Sequence, residues 1–280
     1  MTGSNGGGWS TPRLAAEAAF NQFSTPPRGV AELVAEAKLH DKLGSLLEQA
    51  EAHRIGTPDA FIQTYLWRTT QAANRGRVLL VHGWTGQTLV VRPLLQAGFD
   101  VVALDLPAHG RSTGHRLNMP IGARAVLATV DRFGPVRGVI THSFGGQVAA
   151  LALEGGPPIG RRIETDRLVV VACPHSLQRL TRNFGRSFNF SAELQARFES
   201  RISEAAGRSI ETVNTGTLLA AAGIPVLALH DGFDDEVPFS AAEAMATTGA
   251  GISLIAFAGL GHRRIIVTSA VIRAAIKFLQ

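Results

Sequence analysis

The chain has 280 residues, of which 45% are hydrophobic and 18% charged, and its formal net charge is +5. This length and apolar content predict one sizeable domain with a buried core. The basic residues are scattered and aromatic residues are few, so we expect no nucleic-acid partner. No apolar run reaches the ~20 residues of a membrane span and the N-terminus lacks a secretory leader pattern, so we expect a cytoplasmic protein without a membrane partner.

The N-terminal part of the chain is predicted to precede the sheet. Residues 1–12 are rich in glycine, serine and asparagine and are expected to be disordered. Residues 13–55 are predicted to form a helical extension, because Leu14 to Phe23 has an apolar face and Val30 to His53 continues the helical pattern after a proline pair. The main domain then occupies residues 56–280.

Short apolar segments that alternate with helical patterns follow this extension. Such alternation predicts an α/β fold, with a mainly parallel sheet that helices cover on both faces. The strands are expected at about residues 60–68, 77–82, 99–105, 135–141, 167–173, 224–230 and 252–257.

Ser143 lies where the predicted strand at 135–141 meets a helix, in the segment Thr-His-Ser-Phe-Gly-Gly. A serine hydroxyl becomes a nucleophile when a tight turn exposes it beside a general base and free backbone N–H groups. Thr141 stands where this type of turn usually has its first glycine, and it is bulkier than glycine. From these six residues alone, a helix start with Ser143 as N-cap is the alternative interpretation.

Three other loops, each at the end of a predicted strand, carry complementary groups. The glycine-containing loop at 82–86 can direct backbone N–H groups at a ligand. A cluster of carboxylates lies within residues 231–236, and His262 lies on a glycine-flanked loop after the last strand. The chain order is therefore serine, carboxylate, histidine.

Together these segments resemble the α/β-hydrolase family, and most closely its small bacterial esterase and serine-aminopeptidase-like members. The resemblance covers roughly residues 60–280 and implies the α/β-hydrolase fold. Residues 175–220 show no strand pattern, and Leu177 to Leu180, Ala192 to Ala206 and Ile210 to Leu219 are predicted to be short helices. The resemblance implies that an insertion at about 175–220 forms a small helical cap over the active site. The matching motifs lie at residues 82–84, 105–112, 141–146, 234–238 and 261–262.

The resemblance implies a catalytic triad and an oxyanion hole. Ser143 matches the nucleophile, His262 the general base, and Asp234 the carboxylate that orients the imidazole. The backbone N–H groups of Trp84 and Phe144 match the donors that stabilise an oxyanion. His82, which precedes that loop, is expected to hold it by hydrogen bonding.

Three carboxylates of one loop compete for the place of the triad acid. The spacing to Val237 and Pro238 selects Asp234, while Asp231 and Asp235 remain alternatives and are otherwise expected to be solvated or capping groups. Within or just before the cap, three further residues are candidates for the pocket wall: His175, Phe184 and Phe188. Attachment of the cap to the main domain is the competing interpretation for the phenylalanines.

From the resemblance we predict a serine hydrolase that cleaves small-molecule carboxylic esters through an acyl-enzyme. Hydrolysis of amides, including aminopeptidase activity, or of thioesters is an alternative. Because Thr141 replaces the usual glycine, a catalytically silent protein that binds a ligand is a further alternative. No set of His, Cys, Asp and Glu has the spacing of a metal site, so neither a metal nor another cofactor is expected. The sequence gives no indication of the oligomeric state.

Overall fold

The computed structural model describes residues 12–26, 44–84, 90–249 and 251–280. Within these ranges eight strands form one sheet in the order β1-β2-β4-β3-β5-β6-β7-β8. Strand β2 runs antiparallel to both of its neighbours, and the other pairs are parallel. The strands are β1 Glu51–Gly56, β2 Phe61–Trp67, β3 Arg77–Val81, β4 Asp100–Leu104, β5 Val136–His142, β6 Thr165–Val171, β7 Val226–Asp231 and β8 Ile252–Phe257.

Helices pack on both faces of this sheet. Alternate residues of a strand enter opposite hydrophobic clusters, so that in β3 Leu79 and Val81 join one cluster while Val78 and Leu80 join the other. The predicted α/β class with a mainly parallel, doubly covered sheet is therefore confirmed. The helices are α1 Pro12–Ser24, α2 Val91–Gln96, α3 Met119–Phe133, α4 Phe144–Glu154, α5 Leu177–Ser187, α6 Ala192–Ala206, α7 Thr215–Ala222, α8 Ser240–Thr248, α9 Gly261–Arg264 and α10 Ser269–Leu279, with 3-10 turns at Ile210–Thr212 and Ile265–Val267.

Strand β1 corrects the predicted helical extension. Residues 44–47 are helical, but β1 pairs antiparallel with β2 and places Ile55 opposite Ile62. The sheet therefore begins at residue 51, inside the segment predicted to be helical. As an edge strand with mostly exposed side chains, β1 lacks the alternation of apolar residues by which strands are recognised. The helical pattern at 30–43 and the predicted disorder at 1–11 fall outside the described residues.

Helix α1 is present where the apolar pattern from Leu14 to Phe23 predicts it, and it packs against α6. Arg201 of α6 pairs with Glu17 at 2.7 Å, and its guanidinium lies 4.2 Å from the centroid of the Phe20 ring. The Phe23 ring lies 5.5 Å from that of Phe198, also on α6. Helices α1, α5 and α6 thus form one layer, which we call the lid.

The predicted cap helices are confirmed in part. Helix α6 has the expected bounds, whereas α5 continues to Ser187, well beyond the predicted end at Leu180. The segment predicted as one helix from Ile210 to Leu219 is instead a 3-10 turn followed by α7, because Asn214 takes an extended conformation between them and bridges to Ser176. Helix α7 packs against α4 and α8, so we assign it to the main domain.

Candidate active site

Ser143 occupies a tight turn between β5 and α4. Its φ of 51° and ψ of −125° belong to a region that residues other than glycine rarely adopt, at a cost of about 1–3 kcal/mol. The turn needs a small neighbour, because a Cβ on Gly145 would lie 2.5 Å from the carbonyl oxygens of Val81 and His82. Among the described residues, the Ser143 hydroxyl makes no capping hydrogen bond to α4. Ser143 therefore occupies the N-cap position of α4, but its side chain does not cap the helix.

Thr141 fits beneath the turn because its neighbours are small. Its hydroxyl donates to the carbonyl of Val169 at 3.2 Å. A Cβ on Gly146 would lie 3.2 Å from Thr141 Oγ1 and 2.4 Å from Cys173 Sγ. Burial raises the pKa of the Cys173 thiol to about 12, so this sulfur stays protonated and serves as a packing group. Position 141 lacks the glycine of the usual motif, and the absence of a side chain at Gly146 leaves the space that the Thr141 side chain occupies.

Three side chains from three loops form one hydrogen-bonded row. His262 Nε2 lies 3.0 Å from Ser143 Oγ, and His262 Nδ1 lies 2.8 Å from Asp234 Oδ2. Burial by itself would raise the pKa of Asp234, but hydrogen bonds from His262 and from the N–H groups of Val237 and Glu236 outweigh it and lower the pKa. The ionised carboxylate accepts a hydrogen bond from the Nδ1–H group of His262. The lone pair of Nε2 therefore faces the serine hydroxyl.

Neither of the two alternative triad acids, Asp231 and Asp235, forms an ion pair with His262, whereas Glu236 of the same loop lies 3.9 Å from His262 Nε2. Asp231 is buried and accepts hydrogen bonds from the N–H groups of Phe233 and Leu260, each at 2.8 Å. It therefore ties the loop at residues 231–238 to the loop that precedes His262. Asp235 is exposed.

His82 holds the loop that precedes Trp84, as the sequence predicts. Its Nε2 accepts from the N–H of Leu106 at 2.8 Å, so Nδ1 carries the proton and donates to the Gly83 carbonyl at 2.6 Å. Burial lowers the pKa of His82 to about 3, which keeps the ring neutral and preserves both bonds at physiological pH. A Cβ on Gly83 would lie 2.9 Å from Ser143 Cβ, so this loop approaches the serine closely.

Two buried histidines, for which the sequence predicts no role, support the row of Ser143, His262 and Asp234. His142 Nε2 donates to the carbonyl of His262 at 2.8 Å. His230 Nε2 donates to the carbonyl of Val237 at 2.9 Å and lies 3.5 Å from Asp234 Oδ2. Their position at the ends of β5 and β7 was the only signal available in the sequence.

His142 and His82 are both buried and neutral, and this predicts a fold that loses stability in acid. Burial lowers the pKa of His142 to about 4 and that of His82 to about 3, whereas each pKa is about 6.5 in the unfolded chain. Below pH 6.5 the unfolded state therefore binds more protons, and stability falls by about 1.4 kcal/mol per pH unit for each histidine. We expect the free energy of unfolding in urea to be roughly 4 kcal/mol lower at pH 5 than at pH 7.

The controls for this pH dependence are a single variant and a second pH interval. His82→Gln should remove about half of the loss, because glutamine does not titrate. Between pH 7 and pH 8 the two histidines predict a change of only about 0.3 kcal/mol. A free energy of unfolding that is equal at pH 5 and pH 7 would contradict the assignment of both rings as neutral.

Of the two residues predicted to supply oxyanion donors, Phe144 follows Ser143 directly, and Trp84 lines the same cavity as Ser143. Phe144 is the first residue of α4, a position at which an N–H has no acceptor within its own helix. Trp84 is held by a hydrogen bond of 2.8 Å from His109 Nε2 to its carbonyl. The rings of Trp84 and Phe144 meet edge to face at 5.3 Å. The continuation of this loop, residues 85–89, lies outside the described residues.

Ser143 and His262 line a cavity of about 960 Å³, near the upper end of the ~300–1,000 Å³ usual for small-molecule sites. Its wall is largely apolar and includes residues 20–26 at the end of α1 together with residues of α5 and α6. The lid therefore covers the serine, and the N-terminal helix contributes to this cover. The sequence did not predict that contribution.

The candidate pocket residues take different positions. Phe184 lines the cavity and also packs against Phe23 and Phe198, with ring centroids 5.2 and 5.5 Å away, so it both attaches the lid and forms the wall. Phe188, at the end of α5, is 47% exposed and lies outside the cavity wall. His175 also lies outside the wall, and burial lowers its pKa.

Within residues 12–26, 44–84, 90–249 and 251–280, no three His, Cys, Asp or Glu side chains are grouped as a metal ion would require. Over the same ranges, no helix has the length and apolar character needed to cross a bilayer.

A tight serine turn between a parallel strand and a helix, with an aspartate loop and a histidine loop at the ends of later strands, is the arrangement of one class of α/β folds. The family model described as "Alpha/beta hydrolase family" matches residues 78–272. The chain therefore belongs to the alpha/beta hydrolase family, as the motifs indicate. Comparison with curated proteins gives no match.

Solved structures with the same fold include several hydrolases. Est1E from Butyrivibrio proteoclasticus, solved with bound ferulic acid, is 19% identical with a TM-score of 0.63, covering 81% of this chain and 98% of its own. An esterase from Pyrococcus furiosus is 18% identical with a TM-score of 0.60, covering 84% and 92%. A proline iminopeptidase from Mycobacterium smegmatis is 14% identical with a TM-score of 0.59, covering 82% and 97%. At these identities the similarity establishes the fold.

Proposed function

We propose that this protein is a serine hydrolase that cleaves carboxylic esters of apolar small molecules. The observation that carries the proposal is the row in which His262 lies 3.0 Å from Ser143 Oγ and 2.8 Å from Asp234 Oδ2. The largely apolar cavity beside Ser143 supports an apolar substrate.

In the proposed reaction Ser143 Oγ attacks the ester carbonyl carbon while its proton passes to His262 Nε2. The carbonyl electron pair moves onto oxygen, where the N–H groups of Trp84 and Phe144 stabilise the charge. When the carbonyl reforms, the C–O bond of the ester breaks and the alcohol leaves with the proton from His262. Water then attacks the acyl-enzyme with His262 as base, and this step releases the acid and restores Ser143.

Asp234 has a positioning and electrostatic role in this proposal. Its carboxylate is lowered in pKa and remains ionised, so it keeps the Nδ1 proton of His262 in place and stabilises the imidazolium that forms in both steps. The bonds from the N–H groups of Glu236 and Val237 to its other oxygen, at 2.9 and 2.7 Å, fix its orientation.

Aminopeptidase activity is the second candidate, and Glu236 is the observation that favours it. This carboxylate lines the cavity and lies 3.9 Å from His262 Nε2, where it could bind a substrate amine. Glu236 is however already paired with Arg263 at 2.9 Å, which weakens its attraction for another cation. We therefore favour esters, and hydrolysis of amino-acid p-nitroanilides at rates above those of p-nitrophenyl esters would reverse this order.

Labelling with a fluorophosphonate tests the proposal directly. We expect intact mass spectrometry to find one covalent adduct on the wild-type protein and none on Ser143→Ala, because an activated serine displaces fluoride from phosphorus. Ser187→Ala is the matched control, since its exposed hydroxyl donates to the Phe184 carbonyl away from the cavity, and it should be labelled like wild type. A folded wild-type protein that takes no label would favour the ligand-binding alternative.

A further inference from the structure

The cavity beside Ser143 extends along helix α4. Ser143 and Phe144 line it at the N-terminal end of this helix, and Leu151 lines it farther along the same helix. At a rise of about 1.5 Å per residue, Leu151 lies about 12 Å along the helix axis from Ser143. The cavity therefore continues well beyond the atoms that would react.

The C-terminal end of α6 lies at the end of α4 that is remote from Ser143. Arg208 follows the last residue of α6 closely in the chain, and it also lines the cavity. Its guanidinium pairs at 3.0 Å with Glu154, the last residue of α4. The cavity is thus bounded at its remote end by the last turn of α6 and by this ion pair.

One face of α6 forms the wall at the remote end. Ile202, Ala205 and Ala206 all line the cavity, and their i, i+3, i+4 spacing is that of one helix face. This face therefore points into the cavity. Because alanine carries only a methyl group, the room at this end depends on the small side chains at 205 and 206.

The charged groups of the cavity wall have partners inside the protein. The Arg208 guanidinium donates to both oxygens of Glu154, at 3.1 and 3.0 Å, and to the Pro157 carbonyl at 2.9 Å. Near His262, Glu236 pairs with Arg263 at 2.9 Å. The rest of the wall is largely apolar, so the cavity favours an uncharged hydrocarbon group.

We propose that the substrate carries a hydrocarbon chain of about ten carbon atoms, which lies along α4 with its end against Ala205 and Ala206. A fully extended chain of covalent bonds advances about 1.2 Å per bond, so the ~12 Å from Ser143 to Leu151 accommodates about ten bonds. The proposal rests on the proposed ester hydrolysis and specifies its substrate class, uncharged esters of medium chain length. In this view Ala205 and Ala206 determine the accepted chain length.

The test compares initial rates for two series of esters, because a chain on the acid half and a chain on the alcohol half have the same chemistry. One series is the p-nitrophenyl esters from butanoate to tetradecanoate, and the other is the acetates of the alcohols from butanol to tetradecanol, all below their solubility limits. In one series we expect kcat/KM to rise about two- to fourfold per added CH₂, the order expected for burial of a methylene group, and to stop rising near about ten carbon atoms. That series identifies the half of the ester that carries the chain.

Larger side chains at position 205 test the assignment of the remote end. In Ala205→Phe the ratio of kcat/KM between the ten-carbon and the four-carbon ester should fall by about tenfold, because the ring takes the place of about two buried methylene groups. Ala205→Leu should lower the ratio in the same direction by less, and it decides the question if the phenylalanine variant does not fold. Ala196→Phe is the matched control on α6, since Ala196 is exposed and lies outside the cavity wall, and it should keep the wild-type ratio.

Direct binding gives a measurement that is independent of turnover. Isothermal titration calorimetry with 1-butanol and 1-decanol yields the Kd of a short and a long uncharged chain. We expect wild type and Ala196→Phe to bind 1-decanol the more tightly by at least about tenfold, and Ala205→Phe to lose most of this difference.

The outcomes separate this inference from the proposed function. Ester hydrolysis with a flat chain-length profile in both series, or with a profile that Ala205→Phe and Ala205→Leu leave unchanged, overturns the inference and leaves the hydrolase intact. If folded wild type hydrolyses none of the esters, the proposed function fails and calorimetry decides the inference. A preference for 1-decanol that is lost in the variants at 205 and kept in Ala196→Phe then supports it, and equal preferences in all of them overturn it.

Discussion

Replacement of Ser143 by alanine is expected to lower kcat for p-nitrophenyl butyrate by about 10⁶-fold, because the nucleophile is lost and no acyl-enzyme can form. The fold should persist, since alanine meets the same strain as serine at a φ of 51° and the hydroxyl makes no capping bond to α4 in the described residues. Initial rates, with far-UV circular dichroism and the urea midpoint as checks of folding, measure both expectations.

The corresponding double variant gives a sharper test. Ser143 and His262 act as one unit in the proposed mechanism, so Ser143→Ala combined with His262→Ala should be about as slow as either single variant. Losses that multiply in the double variant would mean that the two residues act independently. Retained turnover in Ser143→Ala would contradict the proposed nucleophile.

The strands of the main domain were predictable because most of them are buried. β4 and β7 are enclosed, and Val101 to Leu104 and Val226 to Leu229 read as continuous apolar runs, which is typical of a parallel sheet between two layers of helices. β1 was not predictable on the same basis. As an edge strand with exposed side chains, its sequence Glu-Ala-His-Arg-Ile-Gly carries no apolar period, and only its pairing with β2 makes it a strand.

The candidate site was predictable where it depends on chain order and unpredictable where it depends on long-range contacts. Ser143, Asp234 and His262 each follow a strand, and the carboxyl ends of parallel strands share one edge of the sheet. The bond from His142 to the His262 carbonyl joins residues 120 positions apart, and no local pattern indicates it. The same holds for α1, whose place in the cavity wall follows from packing on α6.

The replacement of Asp234 by asparagine is expected to lower kcat by about 10⁴-fold through the tautomer of His262. Asp234 Oδ1 accepts from the N–H groups of Glu236 and Val237, so an asparagine would place its carbonyl there and turn its NH₂ toward His262 Nδ1. The imidazole must then carry its proton on Nε2, where it points at the Ser143 hydroxyl and cannot accept a proton. The measurement is kcat at neutral pH with the urea midpoint as the control for folding.

The neighbouring carboxylates serve as matched controls for this change. Asp235→Asn should keep wild-type kcat, since that side chain is exposed and Asp234 is the carboxylate bonded to His262. Asp231→Asn should mainly reduce stability, by about 1–3 kcal/mol, because an amide can accept from only one of the N–H groups of Phe233 and Leu260. A 10⁴-fold loss in either control, with Asp234→Asn active, would assign the acid to a different carboxylate. The three variants together distinguish two roles. A carboxylate that orients the imidazole of His262 should affect kcat without lowering the urea midpoint, whereas a carboxylate that only holds the loop should lower the urea midpoint.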